Sequence, residues 1–576
     1  MLTCGFRRDP ISAYPYYSVQ IENLAMKPVK ADHQDQSLEA FDKITSLPDH
    51  RSVWKIARRL LVIGLFLFVL AFNLSRAVRT DYNHDEDQFI TSVRLLLDDG
   101  LLPYRDYPYF HTPYLVFIYA PLFALTGNFN LLAGRFFSAI CATASVMLVF
   151  GMVLGFFPSR ATRYRYLAAI GIAFLYLSSP LLAAAASYCW NHAFPVLCLL
   201  GSLGLILLAV KKKTPGMGCF LSGVLLGIAV GARASSLTIL PAFLLALFWL
   251  PGEFSWRRIR HFGLFFMAGF GVALLPLLWL FATAPQQFIF GNLGYPRLNS
   301  IYRLDVPVAY NGNIPVYGAR SLIDKLGFVW TDVISQPPNL LIFTLLAFFG
   351  WGVLATHLRR NDDQSFRNIF VFFAIPLIGV GSISPTPTWY QYFYAPFPFA
   401  LLAISLGLAY LTQPADRARK WFMLLLLLLT CMANLFSLQD FRRISFLRYV
   451  DLWKPLIVHQ VGQDLRHLVG ANGRVFTIAP LYALEGGLRV YAPMATGSFA
   501  FRTGSLLSEE QRQLQGIISK ENLAAYLDGD MPDGILVGFE PFIEAPLIQF
   551  ATLKGYNPQP LDNQLTLWVR SDISPP

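Results

Sequence analysis

Residues 81–113, DYNHDEDQFITSVRLLLDDGLLPYRDYPYFHTP, carry a dense set of side chains with chemical potential beside an apolar segment. Asp85 and Glu86 come first, followed by Asp87. A carboxylate at a membrane edge could serve as general base for an acceptor hydroxyl, and a helix N-terminus would keep it ionised and fixed in direction. A structural role fits the same residues: Asn83-His84-Asp85-Glu86 matches a capping box with Asn83 as cap. His111 follows an aromatic run (Tyr104, Tyr107, Tyr109, Phe110) and is either a hydrogen-bonded structural residue or part of a site. Arg135, in LLAGRFFSA, and Arg233, in GARAS, interrupt apolar sequence. Each should face protein, water or a phosphate, or else snorkel to the interface. Tyr390, Tyr392 and Tyr394 in TWYQYFY read as an interfacial aromatic belt, one or two of which could hydrogen-bond a phosphate. Arg297, Arg303 and Arg320 are further candidates for an anionic ligand. The adjacent acids Asp85, Glu86 and Asp87 could hold a divalent cation, but no metal is expected to be required.

The elements that must position these residues are membrane spans. Of the 576 residues, 55% are hydrophobic and 14% charged, which does not describe an ordinary soluble protein. Several runs approach about 20 apolar residues, enough to cross a bilayer. The net charge of +11 does not point to nucleic acid, because most basic residues sit in short loops between apolar runs, as the positive-inside rule predicts. That rule gives about 11 spans between residues 51 and 438, with a cytoplasmic N-terminus and an extracytoplasmic C-terminus. Residues 1–50 are polar and read as a loosely ordered cytoplasmic tail without an apolar leader. Residues 81–130 form the first outer loop, whose acidic opening starts an amphipathic helix with Phe89, Ile90, Val93, Leu96 and Leu97 on one face. The apolar segment 114–126 is short, and charge parity makes it an interfacial helix. Residues 285–337 read as a long outer loop. Residues 439–576 alternate short β-like runs (475–479, 534–538, 565–569) with helical patterns such as 508–527, and read as a small α/β domain on the outer side. The six cysteines are scattered and suggest neither a disulfide framework nor a metal cage.

The order of these parts resembles the integral-membrane GT-C glycosyltransferases. The resemblance is to the bacterial branch related to protein O-mannosyltransferases and to the aminoarabinose transferases of lipid A. It rests on Asp85-Glu86, Gly100, Tyr109-Phe110-His111-Thr112-Pro113, Gly127 with Arg135, the turn Gly231-Ala232-Arg233, and WYQYFYAPFPF. It covers most of residues 55–440 and is specific in the first loop. The chain departs from the aminoarabinose branch at Thr112, where that branch has a phosphate-binding lysine, and at Gln88, where an arginine is frequent. Both departures argue against aminoarabinose transfer to lipid A.

The resemblance implies an inverting transfer of a sugar from a polyprenyl-phosphate donor to a hydroxyl of a glycan, lipid or protein at the outer face of a bacterial inner membrane. Asp85 would be the base, and Glu86 would cap the helix or support the acceptor. His111, Arg135, Arg233, Tyr109, Tyr390 and Tyr394 would bind the donor phosphate. The alternative class, a lipid or sugar transporter or flippase, explains the spans but neither the acidic first loop nor the added C-terminal domain.

Overall fold

The computed structural model describes residues 50–157, 162–212, 216–249, 255–305, 308–310, 314–316, 321–357, 363–411, 417–434, 442–561 and 564–572. The expected tail, up to residue 49, and Arg320 lie outside them. The chain divides into two units, Met1–Gly64 and Leu65–Pro576. Of the first, residues 50–64 are described and are helical; all that follows concerns the second.

Helix α1 (His50–Arg79) leads through Thr80–His84 into α2 (Asp85–Asp99). Gly100, left-handed at φ 67°, ends α2 by donating its N–H to the Leu95 carbonyl, the backbone state that glycine adopts at least cost. Helices α3 (Tyr114–Thr126) and α4 (Asn130–Phe156) follow. Next come α5 (Thr162–Leu177) and α6 (Pro180–Ser187), a pair bent by 63°. The bend lies where Ser179 caps α6, accepting from the Leu181 N–H, and Pro180 occupies its first turn. Then come α7 (Ala193–Lys212), α8 (Gly216–Ala232), α9 (Leu240–Ala246) and α10 (Trp256–Thr283).

Helices α8 and α10 cross with their backbones in contact. A side chain at Gly223 would overlap the Phe266 carbonyl, and one at Gly269 would overlap the Phe220 carbonyl. Reciprocal small residues of this kind let apolar helices pack by van der Waals contact.

The segment read as a long outer loop, 285–337, holds regular elements among its described residues. They hold α11 (Tyr295–Asp305), a small antiparallel pair β1 (Val308–Tyr310) and β2 (Ile314–Val316), and α12 (Leu322–Phe328). Helices α13 (Pro337–His357), α14 (Asp363–Ile383), α15 (Phe397–Leu411) and α16 (Arg417–Asn434) complete the helical part. Among the described residues, five helices are long and apolar enough to cross a membrane, or seven if each bent pair counts as one span, and shorter apolar helices accompany them. The chain is a multi-pass membrane protein.

The C-terminal part opens with α17 (Lys454–Val469) and builds a five-stranded sheet in the order β4-β3-β5-β7-β6. Strands β3 (Arg474–Thr477), β4 (Arg489–Val490) and β5 (Gly534–Val537) are parallel; β6 (Asn557–Pro560) and β7 (Thr566–Val569) add antiparallel pairs. The expected runs at 475–479, 534–538 and 565–569 correspond to β3, β5 and β7. Strand β6, with two prolines, is an edge strand, where a missing N–H costs no ladder bond. Around the sheet lie α18 (Pro480–Glu485), α19 (Ser498–Gly504), α20 (Glu509–Gln515), α21 (Leu523–Gly529) and α22 (Pro541–Leu553). The helical pattern over 508–527 is thus two short helices, broken where Gly516 turns left-handed.

This sheet module shares a core with the first loop. Phe89, Ile90, Val93 and Tyr109 belong to the same buried apolar cluster as Leu465, Val475, Leu481 and Leu567. Helix α2 is buried almost all round over Glu86–Val93, so its one-sided pattern is incomplete: Leu95 is buried and Leu97 exposed.

Candidate active site

Successive residues on a helix point about 100° apart, and the first turn of α2 uses this to send three acids to three places. Glu86 turns into the helical bundle. Its carboxylate accepts from Arg135 Nε (2.9 Å) and Nη2 (2.6 Å), with both side chains fully buried. The Cys189 N–H donates to the same carboxylate at 2.7 Å. Asp87 turns to the sheet module, accepting from the Leu481 N–H at 3.0 Å and pairing with the Tyr82 hydroxyl. Asp85 alone opens into a cavity, with 31% of its side chain exposed and His84 Nε2 3.3 Å away. The expected capping box is only half formed: Glu86 Oε2 accepts from the Asn83 N–H (3.3 Å), but Asn83 Oδ1 accepts from the Asp85 N–H (2.9 Å), and the Glu86 N–H donates to the Asn83 carbonyl instead.

The cavity holds about 650 Å³, within the range of small-molecule sites. Its wall at the end of α1 is basic, with Arg76, Arg79 and, from a later turn, Arg443. Tyr295, Asn299 and Arg303 of α11 and Phe499 of α19 also line it. So do Trp389, Tyr390 and Tyr392, and Phe110 and His111 of the first loop. Among the described residues that line it, one carboxylate, Asp85, therefore shares the cavity with four arginines. Partial burial pushes Asp85 up to about 6; the charges of Arg502 and Arg303 pull against that rise, and Glu86 adds to it. Burial, and then the Arg233 charge, push His111 down to about 3, so the imidazole is neutral at pH 7 and can donate or accept one hydrogen bond. Its ring stacks on Phe89 at 5.5 Å.

The expected phosphate ligands separate on this geometry. His111 and Tyr390 line the cavity. Arg135 does not. Its five N–H bonds are taken by Glu86 and by the carbonyls of Ala77, Thr80 and Asp81, and no donor is left for a ligand. Arg135 and Glu86 instead fix α2 against α4. Tyr394 is also corrected: its hydroxyl is bonded to Tyr176 at 2.8 Å in the buried core. Tyr109 is buried and packs edge-on against Tyr104, away from the cavity wall. Arg233 stands one layer back. It donates to Asn191 Oδ1 (2.9 Å) and Ser235 Oγ (3.1 Å), and lies 4.8 Å from the ring centroid of Tyr392, the residue that meets the cavity in front of it.

A cation among Asp85, Glu86 and Asp87 would need converging carboxylates, and these diverge. Among the described residues no group of three or more His, Cys, Asp or Glu is placed to hold a metal ion.

Sequence reasoning missed Arg76, Arg79 and Arg443. A signal for the first two was present: they lie at the end of the first span opposite its basic flank, where the positive-inside rule disfavours arginine.

At the level of sequence, no family model matches the chain and neither does any curated protein. The fold does match solved structures. ArnT from Cupriavidus metallidurans in the apo state aligns at TM-score 0.56 and 12% identity, over 91% of this chain and 100% of that one. The same protein bound to undecaprenyl phosphate aligns at 0.54 and 13%, over 90% and 99%. ArnT is a GT-C superfamily membrane glycosyltransferase.

The chain has the GT-C fold.

The GT-C alignment runs through the sheet module as well as the helices, since it takes in nine-tenths of the chain.

Proposed function

We propose that this protein is an inverting glycosyltransferase that moves a sugar from a polyprenyl-phosphate donor to an acceptor hydroxyl at the outer face of a bacterial inner membrane. The observation that carries this reading is the cavity, which Asp85 lines together with Arg76, Arg79, Arg303 and Arg443. The GT-C fold of an undecaprenyl-phosphate-bound structure supports it.

The chemistry follows from the charges. The leaving group is a phosphate already anionic in the donor, so catalysis needs cations and donors around its oxygens as the anomeric C–O bond breaks. The arginines, with Tyr390 and neutral His111, supply them. Asp85 accepts the proton of the acceptor hydroxyl as that oxygen bonds the anomeric carbon from the opposite face. One displacement inverts the centre and releases polyprenyl phosphate and the glycosylated acceptor. Asp85 near 6 suits this task, being mostly ionised at pH 7 yet more basic than a free carboxylate. Glu86 holds the helix rather than the acceptor, and Arg233 holds Tyr392.

The test is transfer by the purified full-length protein in detergent, using a panel of undecaprenyl-phosphate sugars with glycan, lipid and peptide acceptors. Released undecaprenyl phosphate that depends on Asp85 supports the reading. Equal turnover by wild type and Asp85→Asn removes the base. Absence of binding and turnover for every donor removes the reading as a whole.

A further inference from the structure

The side of the cavity nearest Asp85 is built partly by the sheet module. Phe499 of α19 lines the cavity and meets the His84 ring edge-on at 5.3 Å. Behind Phe499 lies Arg502, its guanidinium 5.7 Å from the Phe499 ring centroid and its side chain only 5% exposed. Arg502 is held by the Glu540 carboxylate through Nε (2.9 Å) and Nη2, while its Nη1 is buried with no hydrogen-bond partner in the structure. A paired arginine with one donor face left over keeps a field beyond its own ion pair, and low local polarity strengthens that field.

We propose that Arg502, carried on the C-terminal module, is a positioning residue for Asp85: its charge, acting through the Phe499–His84 contact layer, keeps the Asp85 carboxylate ionised and turned to the cavity.

The groups that face Asp85 allow this assignment. Its own segment brings Tyr82, His84, Glu86 and Asp87; Glu86, though paired with Arg135, still raises Asp85, and Asp87 is tied to Tyr82 and Leu481. Around the cavity, α1 brings Arg76 and Arg79, a later turn Arg443, and the first loop His111; helix α11 brings Tyr295 and Arg303, the 390–394 turn brings Tyr392, and α19 brings Arg502 with Glu540 behind it. Of the charges that lower Asp85, Arg502 stands ahead of Arg303. The sheet module is therefore coupled to the reacting end of the cavity electrostatically as well as by packing. Its kinetic meaning rests on Asp85 being the base, but the coupling itself does not.

The test needs no substrate. Asp85 in the full-length protein is modified with a water-soluble carbodiimide and glycine ethyl ester across a pH series, and the extent is read by peptide mass spectrometry. Glu86, fully buried, is the internal negative control. Arg502→Gln should raise the midpoint for Asp85 by about half a unit or more, Arg502→Lys should leave it near the wild-type value, and Glu540→Gln should lower it. An unmoved midpoint in Arg502→Gln, or equal shifts in Arg502→Gln and Arg502→Lys, overturns the proposal. If Arg502→Gln does not fold, Glu540→Gln decides: a downward shift supports the coupling and an unchanged midpoint removes it. Failure of every undecaprenyl-phosphate sugar to react would instead remove the base and leave the labelling result standing.

Discussion

Glu86 and Arg135 form a two-point ion pair, 2.9 and 2.6 Å long, with neither side chain exposed. Removing one partner strands the other charge out of water, at a cost of about 3–5 kcal/mol. Glu86→Ala or Arg135→Ala should therefore lower the melting temperature of the detergent-purified protein sharply, in parallel with yield. A stable Arg135→Ala protein that has lost only donor affinity would return Arg135 to the phosphate site.

Asp85 differs from its neighbour in this respect. Its carboxylate reaches into the cavity, with His84 Nε2 3.3 Å away. Asp85→Asn should keep the fold and lower transfer by about 10²–10⁴, measured as undecaprenyl phosphate released per enzyme.

The pH dependence follows in sign. With Asp85 near 6, the base is active when deprotonated. The rate should fall about tenfold for each pH unit well below that value. Stability runs the other way. The carboxyl lies above its ordinary 3.8 in the folded chain, so between about 3.8 and 6 the folded state binds more protons, and stability drops as pH rises through that window. Asp85→Asn should then melt higher than wild type at pH 7.5, with the gap closing towards pH 4.

The sheet module is fastened to α4 by one acid. Glu485 accepts from the Leu131 N–H at 2.7 Å and pairs with His459 at 3.0 Å, and His459 stacks on Phe129 at 4.1 Å. Glu485→Ala leaves that buried N–H unpaired, which costs about 1–3 kcal/mol. Faster hydrogen exchange at residues 130–135 and 480–490, with the rest of the helical part unchanged, is the expected signature.

The α8–α10 crossing gives a steric prediction. Gly223→Val places methyl groups against the Phe266 carbonyl and should cost about 1–3 kcal/mol or more by overpacking. A thermal melt of the purified variant checks it.

Much of this was legible in the residues. Hydropathy and basic loops located the helices, and an acidic pair beside the first span located the cavity. What the residues could not disclose was allocation. Arg135 and Glu86 are 49 positions apart, and only their approach in space decides that they satisfy each other and not a ligand. Arg76 and Arg79 carried a readable anomeric charge at the far end of their span. The packing of Phe499 and Arg502 near Asp85 had no local signal, because it depends on how the sheet module docks. The helices within 285–337 were hidden by Asn, Gly and Pro, whose turn preferences tertiary packing overrides.

The parting of Asp85, Glu86 and Asp87 makes the helix they begin a keyed shaft with one permitted rotational setting. An alanine inserted between Asp85 and Glu86 would preserve every charge in the chain. It would nonetheless swing Asp85 by about 100° relative to its two anchors, leaving an intact inventory of side chains and a crevice with no proton acceptor.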